Sequence, residues 1–299
     1  MILLYKTNHI KLINIFCIKR KNINYCIMFY QEKDFLDGFI QLIKECNKII
    51  LEVYNSNFDV ILKKDESPLT IADKKCNEHI CKYLEKLSLS NCCIISEENR
   101  NKTYEERSKF DWVWLVDPLD GTKEFVKKNG QFTVNIGLCQ NKIPVFGIVS
   151  IPVTGEIYYG IKGIGSFKLD GLQKTKLIIP AKKFDISGLR IVASASHLNK
   201  ETETFINQFN NPNIVNTGSS IKLLWIAENK ADLYARIAPT SEWDTCAAHA
   251  VVKYANGKVL QFNSDITATL LTNSPISNKD NKEVEYNKSD LLNPYFIVL

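Results

Sequence analysis

The stretch Trp114-Leu115-Val116-Asp117-Pro118-Leu119-Asp120-Gly121-Thr122 decides how this chain is read. Its apolar start has the character of a buried strand. It runs straight into two aspartates three residues apart, then a glycine and a threonine. Carboxylates beside a buried strand are costly unless something compensates their charge. Two this close repel each other unless cations or protons sit between them. A hard metal ion is the simplest compensation, because oxygen ligands suit Mg²⁺ and Ca²⁺. Gly121 and Thr122 can offer backbone N–H groups and a hydroxyl to an anion. The segment therefore reads as a corner that holds metal and phosphate side by side.

Working outward, Phe35, Phe39, Leu42, Ile43, Cys46, Ile49, Ile50 and Val53 recur at helical spacing and predict an amphipathic helix over about 32–56. After a polar turn from Lys63 to Pro68, Thr70 suits the N-cap of a second helix. Cys76, Ile80, Tyr83, Leu84 and Leu87 would form its buried face. Cys92 to Ile95 reads as a short strand running into Ser96-Glu97-Glu98, residues 99–110 as a loop, and Trp112 to Val116 as a strand. Phe132, Val134, Ile136 and Leu138 alternate with smaller or polar residues, which is strand periodicity. Two more strands, 145–151 and 156–161, flank a turn at Thr154-Gly155. This half is α+β with a meander.

Around 181–188 the chain turns polar and the rhythm changes. Strands at Ile191–Ser194, Ile214–Asn216 and Ala231–Ile237 alternate with helices at 199–209, 219–229 and Asp244–Ala255, the last stopped by Asn256-Gly257. That alternation predicts a second, α/β lobe. The expected division is an extension over 1–27, an α+β lobe over 28–185 that bears the metal-and-phosphate corner, and an α/β lobe over 186–299.

The 299 residues, 45% hydrophobic and 24% charged, suffice for one large or two medium domains. No apolar run reaches the roughly 18–20 residues that span a bilayer. The net charge of +5 resides in residues 1–27, which hold Lys6, Lys11, Lys19, Arg20 and Lys21 and no acid. Beyond them, 33 of the 38 basic residues face 33 acidic ones, which argues against a broad nucleic-acid surface. Three readings of 1–27 stand: a targeting peptide, acid-poor and basic; a disordered extension; or a gene-model artefact, with translation starting at Met28. The nine cysteines, an odd number with no C-x-x-C pair, fit reduced thiols in a cytosol-like compartment and no zinc site. The expected location is the cytoplasm, or an organelle if 1–27 is a transit peptide.

Five carboxylates stand out: Asp73, Glu97, Asp117, Asp120 and Asp244. Most of them fall at a strand end or a helix start, where distant segments can converge. Each also has an ordinary structural use. Asp73 could close a capping box with Thr70, and Glu97 could be a solvated loop residue. Asp120 could be a turn residue before Gly121, and Asp244 an N-cap for its helix. Asp117, directly after a buried strand, is least easily explained in this way. An EF-hand loop fails, because Gly121 is misplaced and the twelfth position from Asp117 is Lys128 rather than Glu.

Taken together, Asp73, Ser96-Glu97-Glu98, Asp117-Pro118-Leu119-Asp120-Gly121-Thr122 and Trp243-Asp244 resemble the inositol monophosphatase superfamily of Mg²⁺-dependent, lithium-sensitive phosphatases. The longer run from Asp117 to Ile136 resembles its CysQ-type branch, the 3′(2′),5′-bisphosphate nucleotidases. So do Thr217-Gly218-Ser219-Ser220-Ile221-Lys222, the run from Trp243 to Ala250, and Leu292-Asn293-Pro294-Tyr295-Phe296. The likeness spans about residues 30–299.

The resemblance implies a layered αβαβα sandwich of the sugar-phosphatase type. It implies two or three Mg²⁺ ions held by Glu97, Asp117, the Leu119 carbonyl, Asp120 and Asp244, with Asp117 bridging. Two ions about 4 Å apart can stabilise both the attacking and the leaving oxygen of a phosphoryl transfer. Asp73 and the Thr122 hydroxyl would orient and deprotonate the attacking water, and the Gly121 and Thr122 N–H groups would hold the phosphate. Ser194, His197, Gly218, Lys222 and Arg236 would hold the rest of the substrate, with Lys222 and Arg236 on a second phosphate. Ordinary readings exist here too: Lys222 as a solvated helix lysine, Arg236 as a surface residue, His197 as a structural histidine. Ala195 stands where the family often has arginine, which leaves substrate preference open.

The implied reaction is hydrolysis of 3′-phosphoadenosine 5′-phosphate to AMP and phosphate. Inositol or sugar phosphate hydrolysis on the same scaffold is the alternative. A metal-binding regulatory protein without turnover is a third reading, opposed by the presence of all five carboxylates and Thr122. The expected partner is a small nucleoside bisphosphate, with no nucleic-acid polymer and no membrane, bound by a monomer or homodimer.

Overall fold

The structure is a computed structural model, and it describes residues 16–20, 23–57, 60–62, 68–87, 89–99, 101–180, 188–194, 199–272 and 282–299. A small antiparallel hairpin, β1 (Phe16–Arg20) and β2 (Ile23–Ile27), joins neither main sheet. α1 (Lys33–Tyr54) follows, then a second small hairpin of β3 (Ile61–Leu62) and β4 (Pro68–Leu69), then α2 (Ile71–Lys86). β5 (Cys92–Ser96), the one-turn α3 (Tyr104–Arg107), β6 (Trp112–Asp120) and α4 (Thr122–Val126) come next. A meander completes the first half: β7 (Thr133–Gln140), β8 (Ile143–Ile151), β9 (Glu156–Ile161), β10 (Gly165–Asp170) and β11 (Gln173–Leu177). The second half runs β12 (Arg190–Ser194), α5 (Lys200–Ile206), β13 (Asn213–Thr217), α6 (Ile221–Ala227) and β14 (Leu233–Arg236). It ends with α7 (Glu242–Tyr254), β15 (Val259–Gln261), α8 (Ser264–Leu271) and β16 (Phe296–Val298).

Two sheets result. One has seven strands in the order β11-β10-β9-β8-β7-β6-β5; the other has five, β13-β12-β14-β16-β15. Strand alternation then stacks the layers. On β6, Trp112, Trp114 and Val116 point into a core with α1 and α2, while Val113 and Leu115 point into a core with α6 and α7. On β12, Val192 faces that same inner helical layer, and Ile191 and Ala193 face outward to α5 and α8. Period-two side chains buried on both faces give helices on both faces. The outcome is the αβαβα sandwich expected.

The inner layer depends on three glycines. Gly137 pairs with Gly147 and Gly147 with Gly160, so they form a row across β7, β8 and β9. A Cβ on each would come within 2.7 Å of the Cys246 sulfur, 2.2 Å of the Ala247 carbonyl oxygen and 2.3 Å of the Ala250 carbonyl oxygen. Only a bare backbone lets α7 approach this closely. The alanine-rich face of α7 lies in the groove, and its other contacts reach α6 and β15, so it packs on both sheets.

Several expectations are corrected. The strand expected over 112–116 continues to Asp120, with a bulge between Asp117 and Asp120 where its pairing to β7 shifts register. Pro118 cannot donate to a ladder, which accounts for the break in pairing. Residues 104–107 of the expected loop form α3. Strands β10 and β11 have no counterpart in the sequence reading, and neither do the elements after α7. The change of rhythm near 185 falls within residues 181–187, outside the described residues, as do residues 1–15. Cys46, Cys76, Cys81, Cys92, Cys93, Cys139 and Cys246 are free thiols, and among the described residues no helix is long and apolar enough to cross a membrane.

Replacing Gly147 by alanine forces its Cβ onto the Ala247 carbonyl. Overpacking of this kind costs about 1–3 kcal/mol. Thermal melting of Gly147→Ala should show a drop of several degrees. An unchanged Tm would mean that α7 does not ride on the glycine row.

Candidate metal and phosphate site

β5 and β6 run parallel, so their C-terminal ends lie side by side. Glu97 follows β5, with its N–H on the Val116 carbonyl at 3.1 Å, and Asp117 and Asp120 close β6. α7, seated on the glycine row, aims its first turn at the same place and delivers Asp244. Carboxylate oxygens of Glu97, Asp117 and Asp244 lie within 4.8 Å of one another. Burial, then Glu97, Asp120 and Asp244, push the Asp117 carboxyl well above the usual range. Burial, then Asp120 and Glu97, do the same to Asp244. Hard oxygen donors, crowded, with Asp117 and Asp244 driven toward their protonated forms, are the set a divalent cation such as Mg²⁺ would take.

Asp244 is not the N-cap of its helix. Ser241 is, and Asp244 closes the capping box by accepting the Ser241 N–H on Oδ2 at 2.8 Å. Asp73 closes a capping box in the same manner at the start of α2. Its Oδ2 accepts the Thr70 N–H at 2.8 Å and the Thr70 hydroxyl at 2.6 Å. Its Oδ1 faces the Thr122 hydroxyl at 3.4 Å, which also donates to the Leu119 carbonyl at 3.2 Å. Burial raises the Asp73 carboxyl to about 6, against the opposing Thr70 hydrogen bonds.

Asp120 lies outside the three-carboxylate group. Its Oδ2 accepts the Ser219 hydroxyl and the Ser220 N–H, both at 2.6 Å. Burial raises its carboxyl, while Ser219, Lys222 and Ser220 lower it. It is therefore no simple turn residue. Gly121, with φ of 91°, starts α4 and needs a glycine's left-handed freedom.

A cleft of about 290 Å³ opens beside these groups. Asp120, Gly121, Thr122 and Asp244 line one end, and Ser194, Gly218, Lys222 and Arg236 the other. Lys222 is not a solvated helix lysine: it is 6% exposed, and its ammonium donates to the Ser219 carbonyl at 2.7 Å. Burial lowers it to about 8, with Asp120 opposing. Arg236 donates to the Pro239 carbonyl at 2.8 Å, yet its Nε is buried with no hydrogen-bond partner among the described residues. The Gly218 N–H donates to the Gln131 side chain at 2.9 Å. His197 and Ala195 fall outside the described residues.

Sequence reasoning missed the polar lattice behind Asp120. The Thr133 hydroxyl meets those of Ser219 at 2.6 Å and Ser220 at 2.8 Å, and the Ser220 hydroxyl donates to Asn135 at 2.9 Å. Thr133 and Asn135 are fully buried. Their alternation with Val134 and Ile136 gave them the look of a strand's polar face. Glu124, which lines the cleft, was also passed over.

Fold and site define a class: a layered α/β phosphatase with a carboxylate cluster at paired strand ends, beside a cleft whose far end carries Lys222 and Arg236. The chain belongs to the inositol monophosphatase family, whose model matches residues 31–291. The 3′(2′),5′-bisphosphate nucleotidase CysQ of Escherichia coli K12 is 36% identical over 226 residues, covering 75% of this chain and 89% of the relative. CysQ of Haemophilus influenzae is 29% identical over 266 residues, covering 88% and 92%. A crystal structure of CysQ from Bacteroides thetaiotaomicron matches with a TM-score of 0.72 at 36% identity, covering 88% of this chain and 96% of that one. The IMPase of Thermotoga maritima, at 21% identity and a TM-score of 0.66, shares the fold over 89% of this chain and 91% of its own.

The raised carboxyls make stability depend on pH. Asp73 titrates near 3.8 in an unfolded chain and near 6 when folded. The metal-free fold thus binds the extra proton, and its stability falls as pH rises from about 4 through 6, by roughly 3 kcal/mol for Asp73 alone. Asp117 and Asp244 shift in the same direction and extend the fall upward. Mg²⁺ competes with those protons, so it should raise Tm more near pH 8 than near pH 5. Equal Mg²⁺ stabilisation at both values, by thermal denaturation against a chelator control, would show that the cluster does not hold the cation.

Proposed function

We propose that this phosphatase is a 3′(2′),5′-bisphosphate nucleotidase that hydrolyses 3′-phosphoadenosine 5′-phosphate to AMP and phosphate. Glu97, Asp117, Asp120, Asp244 and the Leu119 carbonyl are the residues that would hold two or three Mg²⁺ ions. Bound there, the ions would neutralise phosphoryl charge and make water more acidic. The chain's own residues supply the rest. Asp73, anchored through Oδ2, keeps Oδ1 for Thr122, and this pair takes the proton of an attacking water. Gly121 and Thr122 present backbone N–H groups to the phosphate being cleaved. The Leu119 carbonyl holds the Thr122 hydroxyl in place.

The observation that carries the substrate reading is the far end of the cleft. Lys222 is buried there beside Arg236, whose buried Nε has no partner among the described residues. A desolvated lysine and an unsatisfied guanidinium N–H suit a second phosphate; a neutral inositol hydroxyl has no charge to offer them. Ser194 and Gly218 border the same space. The CysQ names of the relatives agree with this reading.

Phosphate release from 3′-phosphoadenosine 5′-phosphate and from inositol 1-phosphate, with and without Mg²⁺, tests it. A preference for inositol 1-phosphate would defeat it in favour of the sugar-phosphate reading. Lys222→Met should raise KM for the bisphosphate about 10- to 100-fold, the worth of a charged hydrogen bond, and leave inositol 1-phosphate unaffected. Asp73→Asn should cut kcat about 10²- to 10⁴-fold while Mg²⁺ still binds in calorimetry. Full turnover by that variant would remove Asp73 as the base.

A further inference from the structure

Ser219 adopts φ of 56°, in the left-handed region. Six of the nine described non-glycine residues there are asparagines, which tolerate it; Ser219 is the one serine. Glycine would sit at this position without strain. What serine adds over glycine at this position is its side chain.

That side chain is fully used. Its hydroxyl meets the Asp120 Oδ2 at 2.6 Å and the Thr133 hydroxyl at 2.6 Å. Its carbonyl accepts from Lys222 at 2.7 Å, and the next N–H, on Ser220, completes the hold on Asp120 Oδ2. A Cβ on Gly121 would lie 3.3 Å from the Ser219 Cβ, so the two residues pack directly together and the hydroxyl has little room to turn. Both bonds to Asp120 fall on Oδ2, and among the described residues no hydrogen bond reaches Oδ1. A carboxylate held in this way presents its second oxygen in a fixed direction, as outer-shell partners of metal ligands do.

We infer that Ser219 is a positioning residue. It fixes the Asp120 carboxylate from the opposite half of the chain and ties the carboxylate end of the cleft to the Lys222 end. The left-handed backbone is the strain accepted for this placement. The inference rests on the metal reading proposed above.

Two substitutions separate positioning from plain structure. Ser219→Ala keeps the strain and loses the hydroxyl; Ser219→Gly relieves the strain and loses the hydroxyl. In the full chain, metal-free, Ser219→Gly should melt no lower than Ser219→Ala, because it lacks the same hydroxyl without the strain. Calorimetric titration with Mg²⁺ alone should nonetheless show about 10-fold weaker binding in both variants, at the lower end of outer-shell effects. In an Asp120→Asn background, Ser219→Gly should weaken Mg²⁺ binding no further, because the two act through one group. If the parent binds Mg²⁺ and both variants bind it within twofold, the inference is wrong and the metal reading survives. Additive losses in the double variant overturn it too. A parent that takes up no Mg²⁺ removes both.

Discussion

The close seat of α7 on the glycine row is the contact on which the rest of the molecule depends. α7 is the one long helix between the sheets, and its distance from the larger sheet sets where Asp244 arrives. With side chains at Gly137, Gly147 and Gly160 the helix would stand off, since their Cβ atoms would meet α7 at 2.2–2.7 Å. Asp244 would then leave the group in which three carboxylates share a 4.8 Å space. Protein interiors are close-packed and give little. A packing constraint deep between the layers thus becomes a constraint on charge at the surface of the sheet.

That charge is the molecule's standing electrostatic cost. Asp117 is 1% exposed and repelled by three neighbours. A buried carboxylate escapes such a situation by taking a proton or a cation. Protons and divalent ions therefore compete for the same oxygens, and the cationic end of the cleft offsets this only in part: Arg236 lowers the Asp244 carboxyl, but less than burial, Asp120 and Glu97 raise it. Lys222 opposes the rise at Asp120 but does not reach the three-carboxylate group by any hydrogen bond. The two ends differ in charge, with Asp120 and Asp244 at one and Lys222 and Arg236 at the other, within a single cleft of about 290 Å³.

What could be read in the sequence was what is local. The apolar spacing from Phe35 to Val53 and the alternation from Phe132 to Leu138 state their own periodicity, and α1 and β7 follow. β11 could not be read that way: Gln173-Lys174-Thr175-Lys176 is exposed at the edge of the larger sheet, so no buried face marks it. The glycine row is invisible along the chain, because Gly137, Gly147 and Gly160 become neighbours only through strand register. The carboxylates of the site were legible as residue types at strand and helix ends. The anchor of Asp120 was not, since Ser219 lies 99 positions away and acts through a backbone angle no composition shows.

The ordinary and the proposed chemical uses of these aspartates do not exclude each other. A carboxylate has two oxygens. Asp73 gives Oδ2 to Thr70 and turns Oδ1 to Thr122. Asp244 gives Oδ2 to the Ser241 N–H, Asp120 gives Oδ2 to Ser219 and Ser220, and Asp117 takes the Leu119 N–H on Oδ1. In each case a local backbone or side-chain bond fixes the carboxyl plane, and one oxygen remains for the site. The capping box thus supplies the rigidity that a catalytic or metal-binding oxygen needs at little cost in added residues. For the same reason, a substitution to asparagine at Asp73 or Asp120 can keep the anchoring oxygen while it changes the chemistry of the other.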